Sequence, residues 1–314
     1  DFYQNEYDAL KDVITTIPFV RKLMDTATSK GWNVVVATNP LFPQVAVLKR
    51  LEWAGIPANE YPYRLITSYE AMHFAKPNPA FYAELLGKLG WPEAPVAMVG
   101  NSLKDDLLPA AKLNIPCYWV NGDSSEAEPQ LPTHSASGKL ENILPWLEEI
   151  SSTAPDVEIN SIDGILAVLR STPPALQALT SSCPMSDWRL HPLQGEWSVL
   201  EIMAHLRDVD AEVNLPRFEL MANHVNPFIP GVDSDRWAVE RKYNEQDGSS
   251  VFKDFCQSRS RLLQILEGYS ESDWQQPLRH SFFGPTTRVE LAKFIVTHDR
   301  THLQQIAQTI AALQ

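Results

Sequence analysis

The strongest constraint on this 314-residue chain is an amphipathic helix written into its final stretch, from about Arg288 to Leu313. Leu291, Ile295, Ile306 and Ile310 recur there at helical spacing, and Thr287 with Glu290 three residues on makes a capping-box start. Such a stripe has to be buried against other helices. On or beside it lie His298 and His302, four residues apart, so the two imidazoles stand on one face and can converge on one ion. A second helix starts the same way at Ser198 and Glu201, with Val199, Ile202, Leu206, Val209 and Val213 as its apolar face and Glu201, His205, Asp208 and Glu212 beside it. If the two helices are neighbours in a bundle, His205 completes a three-histidine site with an open position. Three neutral imidazoles suit zinc, nickel or iron alike. Asp208 or Glu201 is placed to orient His205 or to act as a base. The plain alternatives are hydrogen-bonded core histidines and solvated helix acids.

The run Gly195-Glu196-Trp197-Ser198-Val199-Leu200-Glu201-Ile202-Met203-Ala204-His205-Leu206, followed by His298-Asp299-Arg300-Thr301-His302-Leu303-Gln304-Gln305-Ile306, resembles the DinB-like four-helix metalloproteins. The resemblance spans about residues 162 to 312. It implies that His205, His298 and His302 hold a divalent metal. The family includes thiol-dependent transferases and isomerases as well as members described as metal-dependent hydrolases, so it implies a site more firmly than a reaction.

Length and charge limit what else the chain can be. At 314 residues it suits two domains of about 150 residues each. Lys plus Arg number 26 against 39 Asp plus Glu, divided as 12 and 18 in residues 1 to 150 and 14 and 21 in the rest. Neither half is a basic platform, which argues against nucleic acid as a partner. Cys117, Cys183 and Cys256 are few and odd in number, as expected of a reducing compartment with no disulfide framework. No apolar run reaches membrane-spanning length and the first residues lack a signal-peptide form, so a cytoplasmic protein without a membrane partner is expected. A small-molecule substrate is the expected partner, and a homo-oligomer is left open.

The first 150 residues alternate strands and helices. Residues 6 to 30 read as helical with Pro18 opening a helix, Asn33 to Ala37 as a strand and Val45 to Ala54 as a helix. Tyr63 to Thr67 reads as a strand, Phe81 to Leu89 as a helix, Val96 to Val99 and Cys117 to Val120 as strands, and Leu107 to Leu113 as a helix between them. That alternation predicts a parallel, doubly wound, Rossmann-like sheet with ligands beyond the carboxyl ends of its strands. Thr38, Lys76, Asn101, Asp105 and Asp106 collect at those ends. A hydroxyl at a helix start and a lysine suit a phosphate, and the acids with an amide suit magnesium. Taken singly, each is also explained as a cap, a surface charge or a first-turn acid.

Together, Val34 to Asn39, Lys76-Pro77 and Val99-Gly100-Asn101-Ser102 through Asp106 resemble the second, third and fourth motifs of the haloacid-dehalogenase-like (HAD-like) hydrolases, over about residues 1 to 150. The resemblance implies that Thr38 contacts phosphate, that Lys76 stabilises phosphate and nucleophile, and that Asp106, with Asn101 or Asp105, supports magnesium. The chain departs from the family at the nucleophile. The family's aspartate ends a strand well before the second motif, whereas Asp1, Asp8 and Asp12 lie in polar or helical surroundings. The expectation is therefore an N-terminally incomplete domain, inert as a phosphatase in this form, with a gap or exposed edge in its sheet.

The fold class expected is thus multi-domain: a HAD-like α/β domain over 1–150, a linker over 151–160, and an all-α DinB-like bundle over 161–314. Asn121 to Ser137 reads as a loop and Leu140 to Ile150 as a short helix. Ile162 to Leu179 starts the bundle, with an interruption expected at Pro173 and Pro174. The His205 helix is expected to reach about Met221, and Phe252 to Leu266 to form the third helix. Asn226 to Tyr243, rich in Pro and acids, is a candidate lid or substrate wall. Trp188 and Trp197 are assigned to packing. Arg217, Arg236, Tyr243 and His280 are weaker candidates for substrate contact, His280 on the turn of a hairpin. Three functions follow: metal-dependent hydrolase or thiol-dependent transferase in the bundle, magnesium-dependent phosphatase in the longer native protein, or a non-catalytic metal-binding or interaction protein.

Overall fold

The computed structural model describes residues 2–122, 131–153, 157–234 and 236–314. Ser124, Ser125 and Pro129 of the expected loop, Pro155 of the linker and Asp235 lie outside them. The chain divides into two compact units, one of Asp1–Tyr82 with Glu93–Glu158 and one of Ala83–Pro92 with Ile159–Gln314.

In the first unit, α1 (Phe2–Asn5) and a 3-10 turn at Tyr7–Val13 precede α2 (Pro18–Ser29), which Pro18 opens where a missing N–H costs nothing. β1 (Val35–Val36) pairs in parallel with β2 (Leu65–Ile66), and α3 (Gln44–Trp53) makes the crossover. α4 (Pro79–Lys88) follows, its first residues in this unit. A π-helical turn at Leu103–Leu107 and α5 (Leu108–Ala111) link β3 (Met98–Gly100) to its parallel neighbour β4 (Cys117–Val120). β5 (Ala136–Gly138) then pairs with β4, also in parallel. α6 (Ile143–Thr153) buries Ile143, Trp146 and Ile150 against Tyr118.

Two features differ from the reading of the sequence. β5 begins inside the segment read as a loop and runs one residue past it, because Ala, Ser and Gly have little strand preference and only the neighbouring strand organises them. The parallel sheet comes in two pieces among the described residues, β1-β2 and β3-β4-β5, where the strand–helix alternation predicted one.

The second unit is a bundle of α7 (Ile162–Ser181), α8 (Val199–Asp208) with its continuation α9 (Leu215–Asn223), α11 (Gly248–Glu267) and α13 (Arg288–Leu313). Two one-turn helices, α10 (Trp237–Glu240) and α12 (Glu271–Trp274), lie in the connections. β6 (Phe228–Ile229) pairs in parallel with β7 (Pro277–His280), which forms a hairpin with β8 (Gly284–Thr287). Both expected capping boxes are formed, Ser198 with Glu201 and Thr287 with Glu290, so the starts of the two histidine helices are set locally. The bundle core is filled by Ile165, Leu169, Met203, Phe255, Leu262 and Ile306, all fully buried. Within this unit Gly87 and Gly90 leave no room for side chains: an added Cβ would stand 2.6 Å from Cβ of Ala175 and 2.5 Å from Cβ of Ala307. Those two glycines let the Ala83–Pro92 segment lie directly on α7 and α13.

The interruption expected at Pro173 and Pro174 does not occur, and α7 runs through both prolines. A proline inside a helix leaves the carbonyl four residues earlier without its amide, at a cost of about 3 kcal/mol. Here the carbonyl freed by Pro173 is that of Leu169, and Arg259 Nη1 donates to it at 3.2 Å from α11. A side chain from another helix thus replaces the lost amide. Between α8 and α9 a π-helical turn, Val209–Asn214, widens the backbone ahead of Pro216 and buries Asp210 and Asn214. Among the described residues no helix is long and apolar enough to cross a membrane.

Candidate metal centre

His205 comes from α8, and His298 and His302 come from α13, one turn apart. The three side chains meet: each offers a ligand atom, and these atoms lie within 4.8 Å of one another. Among the described residues this is the one such group of three or more His, Cys, Asp or Glu. His205 is 5% exposed, and its Nε2 lies 3.0 Å from His298 Nε2. Two ring nitrogens facing each other at that distance must share a proton or share a cation. Two nitrogens bound to one ion at about 2.1 Å stand roughly 3 to 3.4 Å apart, so the pair already has the spacing of co-ligands.

Electrostatics favour the cation. Burial pushes the His205 imidazole down to about 3, helped by His302 and His298 and opposed by Asp208. His298 is also pushed down to about 3, by burial and then by the charges of His302 and Arg259. His302 is lowered too, by burial, with Gln305 and Asp299 opposing. The rings are therefore neutral near pH 7 and present lone pairs, as metal ligands must. His302 Nδ1 lies 2.9 Å from Gln305 Oε1, which accepts its N–H and leaves Nε2 for the ion. His205 Nδ1 is buried without a hydrogen-bond partner.

Trp197, assigned to packing, forms a wall of the centre. Its ring lies 5.0 Å from His205 and stacks on His302 at 6.2 Å between centroids. Neither Trp197 nor Gln305 was among the candidates read from the sequence. The i,i+3 spacing of His302 and Gln305 on a helix was the available signal for the second.

The acids offered as partners of His205 are occupied elsewhere. Asp208 accepts from Arg207 Nε (2.6 Å), Arg241 Nη1 (2.6 Å) and the Tyr243 hydroxyl (2.8 Å). Burial would raise this carboxyl, but the bonds from Arg207, Tyr243 and Arg241 outweigh it and hold it below the ordinary carboxylate range. Glu201 Oε2 accepts the Ser198 N–H at 2.8 Å and is spent on the capping box. Tyr243 is likewise committed, to Asp208. Arg236 is exposed at the start of α10, and Arg217 and His280 lie along the β6-β7-β8 side of the bundle.

In the first unit the motif residues also assemble. Lys76 Nζ lies 2.5 Å from Asp106 Oδ1, while Asp106 Oδ2 accepts the amides of Asn101 and Ser102, both at 3.1 Å. Asp105 Oδ2 accepts the Ser102 hydroxyl at 3.1 Å. The Asn39 side chain accepts the Lys76 amide, and the Thr38 carbonyl accepts the Thr67 hydroxyl. Lys76 and Asp106 therefore neutralise each other.

Residues 169–306 match the DinB superfamily, and residues 3–114 match the haloacid dehalogenase-like hydrolases. No curated protein matches the chain. One similar solved structure is that of YfiT from Bacillus subtilis, described as a probable metal-dependent hydrolase with an unusual four-helix bundle topology. It is 19% identical, with 51% of this chain and 93% of that chain covered and a TM-score of 0.45. The chain joins an N-terminal HAD-like hydrolase domain to a C-terminal DinB-like four-helix bundle that carries a three-histidine cluster able to hold a divalent metal.

Proposed function

We propose that the bundle, in a chain divided functionally at 151–160, is a metal-dependent hydrolase or thiol-dependent transferase acting on a small molecule. The observation that carries this reading is the convergence of three neutral, buried imidazoles on one point. His205, His298 and His302 would hold the ion, with zinc, nickel and iron equally served by the donor set. Such an ion supplies Lewis-acid chemistry, polarising a carbonyl or lowering the proton affinity of a water or thiol. The protein contributes a dry setting: Trp197 excludes water from one side, and Gln305 keeps His302 in one tautomer and orientation. Asp208 acts in this reading as a fixed negative charge one turn from His205, since three donors already hold its oxygens. Elemental analysis of the purified full chain should find near-stoichiometric metal. A chain that takes up no divalent ion under any loading condition would refute the proposal.

A second reading is favoured by the Lys76–Asp106 pair, which places the third and fourth HAD-like motifs together. In it Thr38 and Lys76 receive a phosphoester, and Asp106 with Asn101 or Asp105 receives magnesium once Lys76 turns to substrate. It requires a nucleophilic carboxylate beyond these residues, and magnesium-dependent phosphate release that Lys76→Ala abolishes. Release unaffected by that substitution removes the reading.

A further inference from the structure

A second pair of polar groups in the helical unit, His280 and Arg217, lies outside the metal centre. His280, on β7, is 4% exposed. Its Nδ1 accepts the Phe282 amide at 3.2 Å, which puts the proton of the neutral ring on Nε2. That Nε2 is buried with no hydrogen-bond partner. Arg217, on α9, is half-buried, and its Nη2 donates to the Pro230 carbonyl at 3.1 Å. Pro230 directly follows Ile229, the cross-strand partner of His280, which brings the Arg217 charge within electrostatic reach of the imidazole. Among the described residues no carboxylate pairs with Arg217. Burial lowers Arg217, and its charge in turn helps burial to lower His280. Two donors, one of them cationic, are thus half or fully desolvated with no anion to receive them, an arrangement that costs free energy until an oxyanion arrives.

Apolar rings adjoin the two donors. Phe283 stacks on His280 at 4.6 Å and touches Phe294 at 5.2 Å. Phe294 lies on α13 one turn before His298, on the same helical face. Phe283 and Phe294 are 49% and 48% exposed, large rings left half in water between the two donors and the metal centre. A ligand lying along them would cover apolar surface that the fold leaves open.

We propose that Arg217 and His280 form an oxyanion-binding subsite for the acidic end of an elongated, apolar substrate, whose body lies on Phe283 and Phe294 and whose other end reaches the three histidines. The direction of the substrate rests on the metal-centre reading; the subsite does not. Phe283 covers the imidazole and has to lift for the anion to enter.

Calorimetry on the full chain, metal-free and metal-loaded, with octanoate, octyl phosphate and octanol tests this directly. At least one of the two oxyanions should bind about tenfold or more tighter than octanol, and the preferred one identifies the headgroup as carboxylate or phosphate. Arg217→Gln and His280→Phe should each weaken oxyanion binding roughly tenfold and leave octanol unchanged, with Arg217→Lys retaining part of the preference. Equal binding of octanol and the oxyanions, no detectable binding of any of the three, or oxyanion binding indifferent to both Arg217→Gln and His280→Phe overturns the subsite. Because the metal-free titration needs no ion, loss of the metal reading with retained Arg217-dependent binding would separate the two proposals.

Discussion

One residue apart on α13, Asp299 and His298 enter two buried polar clusters of different kinds. Asp299 belongs to a group closed on itself: Arg259 Nη1 lies 2.5 Å from Asp299 Oδ2, and Arg259 Nε lies 2.6 Å from Asp210 Oδ2. Thr172 donates to Asp299 at 2.7 Å and Asn214 to Asp210 at 2.9 Å. Burial would favour losing the Arg259 proton, but the charges of Asp210 and Asp299 outweigh it and hold Arg259 firmly protonated. Arg259 donates to Asp210, to both oxygens of Asp299 and to the Leu169 carbonyl, all within the protein. His298 belongs to a group of three imidazoles whose ligand atoms turn towards one another. The first arrangement stabilises three helices against one another, and the second asks for something from outside. Buried polarity is therefore no guide to function until its partners are counted.

The comparison is broken most severely by removing the closed cluster's cation. Arg259→Met leaves two buried carboxylates and the Leu169 carbonyl without their donor, and we expect a loss of about 3 to 5 kcal/mol in urea unfolding. A loss below about 1 kcal/mol would mean that the cluster is not what joins α7, α11 and α13. In the open cluster, His298→Ala should remove the ion from the purified protein without comparable damage to the metal-free fold, read by elemental analysis beside the unfolding curve. Stoichiometric metal in that variant would dissolve the distinction between the two groups.

Gln305→Ala sharpens it further. The ion should be held roughly 10- to 100-fold more weakly while the metal-free unfolding midpoint stays put, and Gln305→Glu should restore much of the affinity, as competition with a chelator would show. The remaining lever is pH. His205 and His298 have folded values of about 3 against 6.5 in the free side chain, so between those limits the unfolded chain binds more protons. Stability of the metal-free protein should therefore be unpenalised above about pH 6.5 and fall as pH drops towards 3, by at most about 1.4 kcal/mol per pH unit for each such histidine. His205→Gln should flatten that slope in urea titrations from pH 7 to 4. An unchanged slope would assign the loss to other groups.

Most of the scaffold of the centre was legible beforehand because its signals are local. Helix spacing placed His298 over His302, and Ser198 and Thr287 with their glutamates marked where both histidine helices begin. Local signals failed where a distant group intervened. Pro173 reads as a break until Arg259 arrives from another helix, and β5 reads as loop until β4 lies beside it. The acids beside His205 on the sequence stripe look like its partners, yet Asp208 is claimed by Arg207, Arg241 and Tyr243, and Glu201 by its own helix start.

The amino-acid order alone determined which residues could act as ligands and which faces they would share, because backbone period and capping chemistry reach only a few positions along the chain. Packing of α8 against α13 decided that His205 faces the other two, that Trp197 walls them in, and that Asp299 points the other way into a salt-bridged core. It also decided which polar groups end without partners, since satisfaction of a buried donor depends on every element that packs around it.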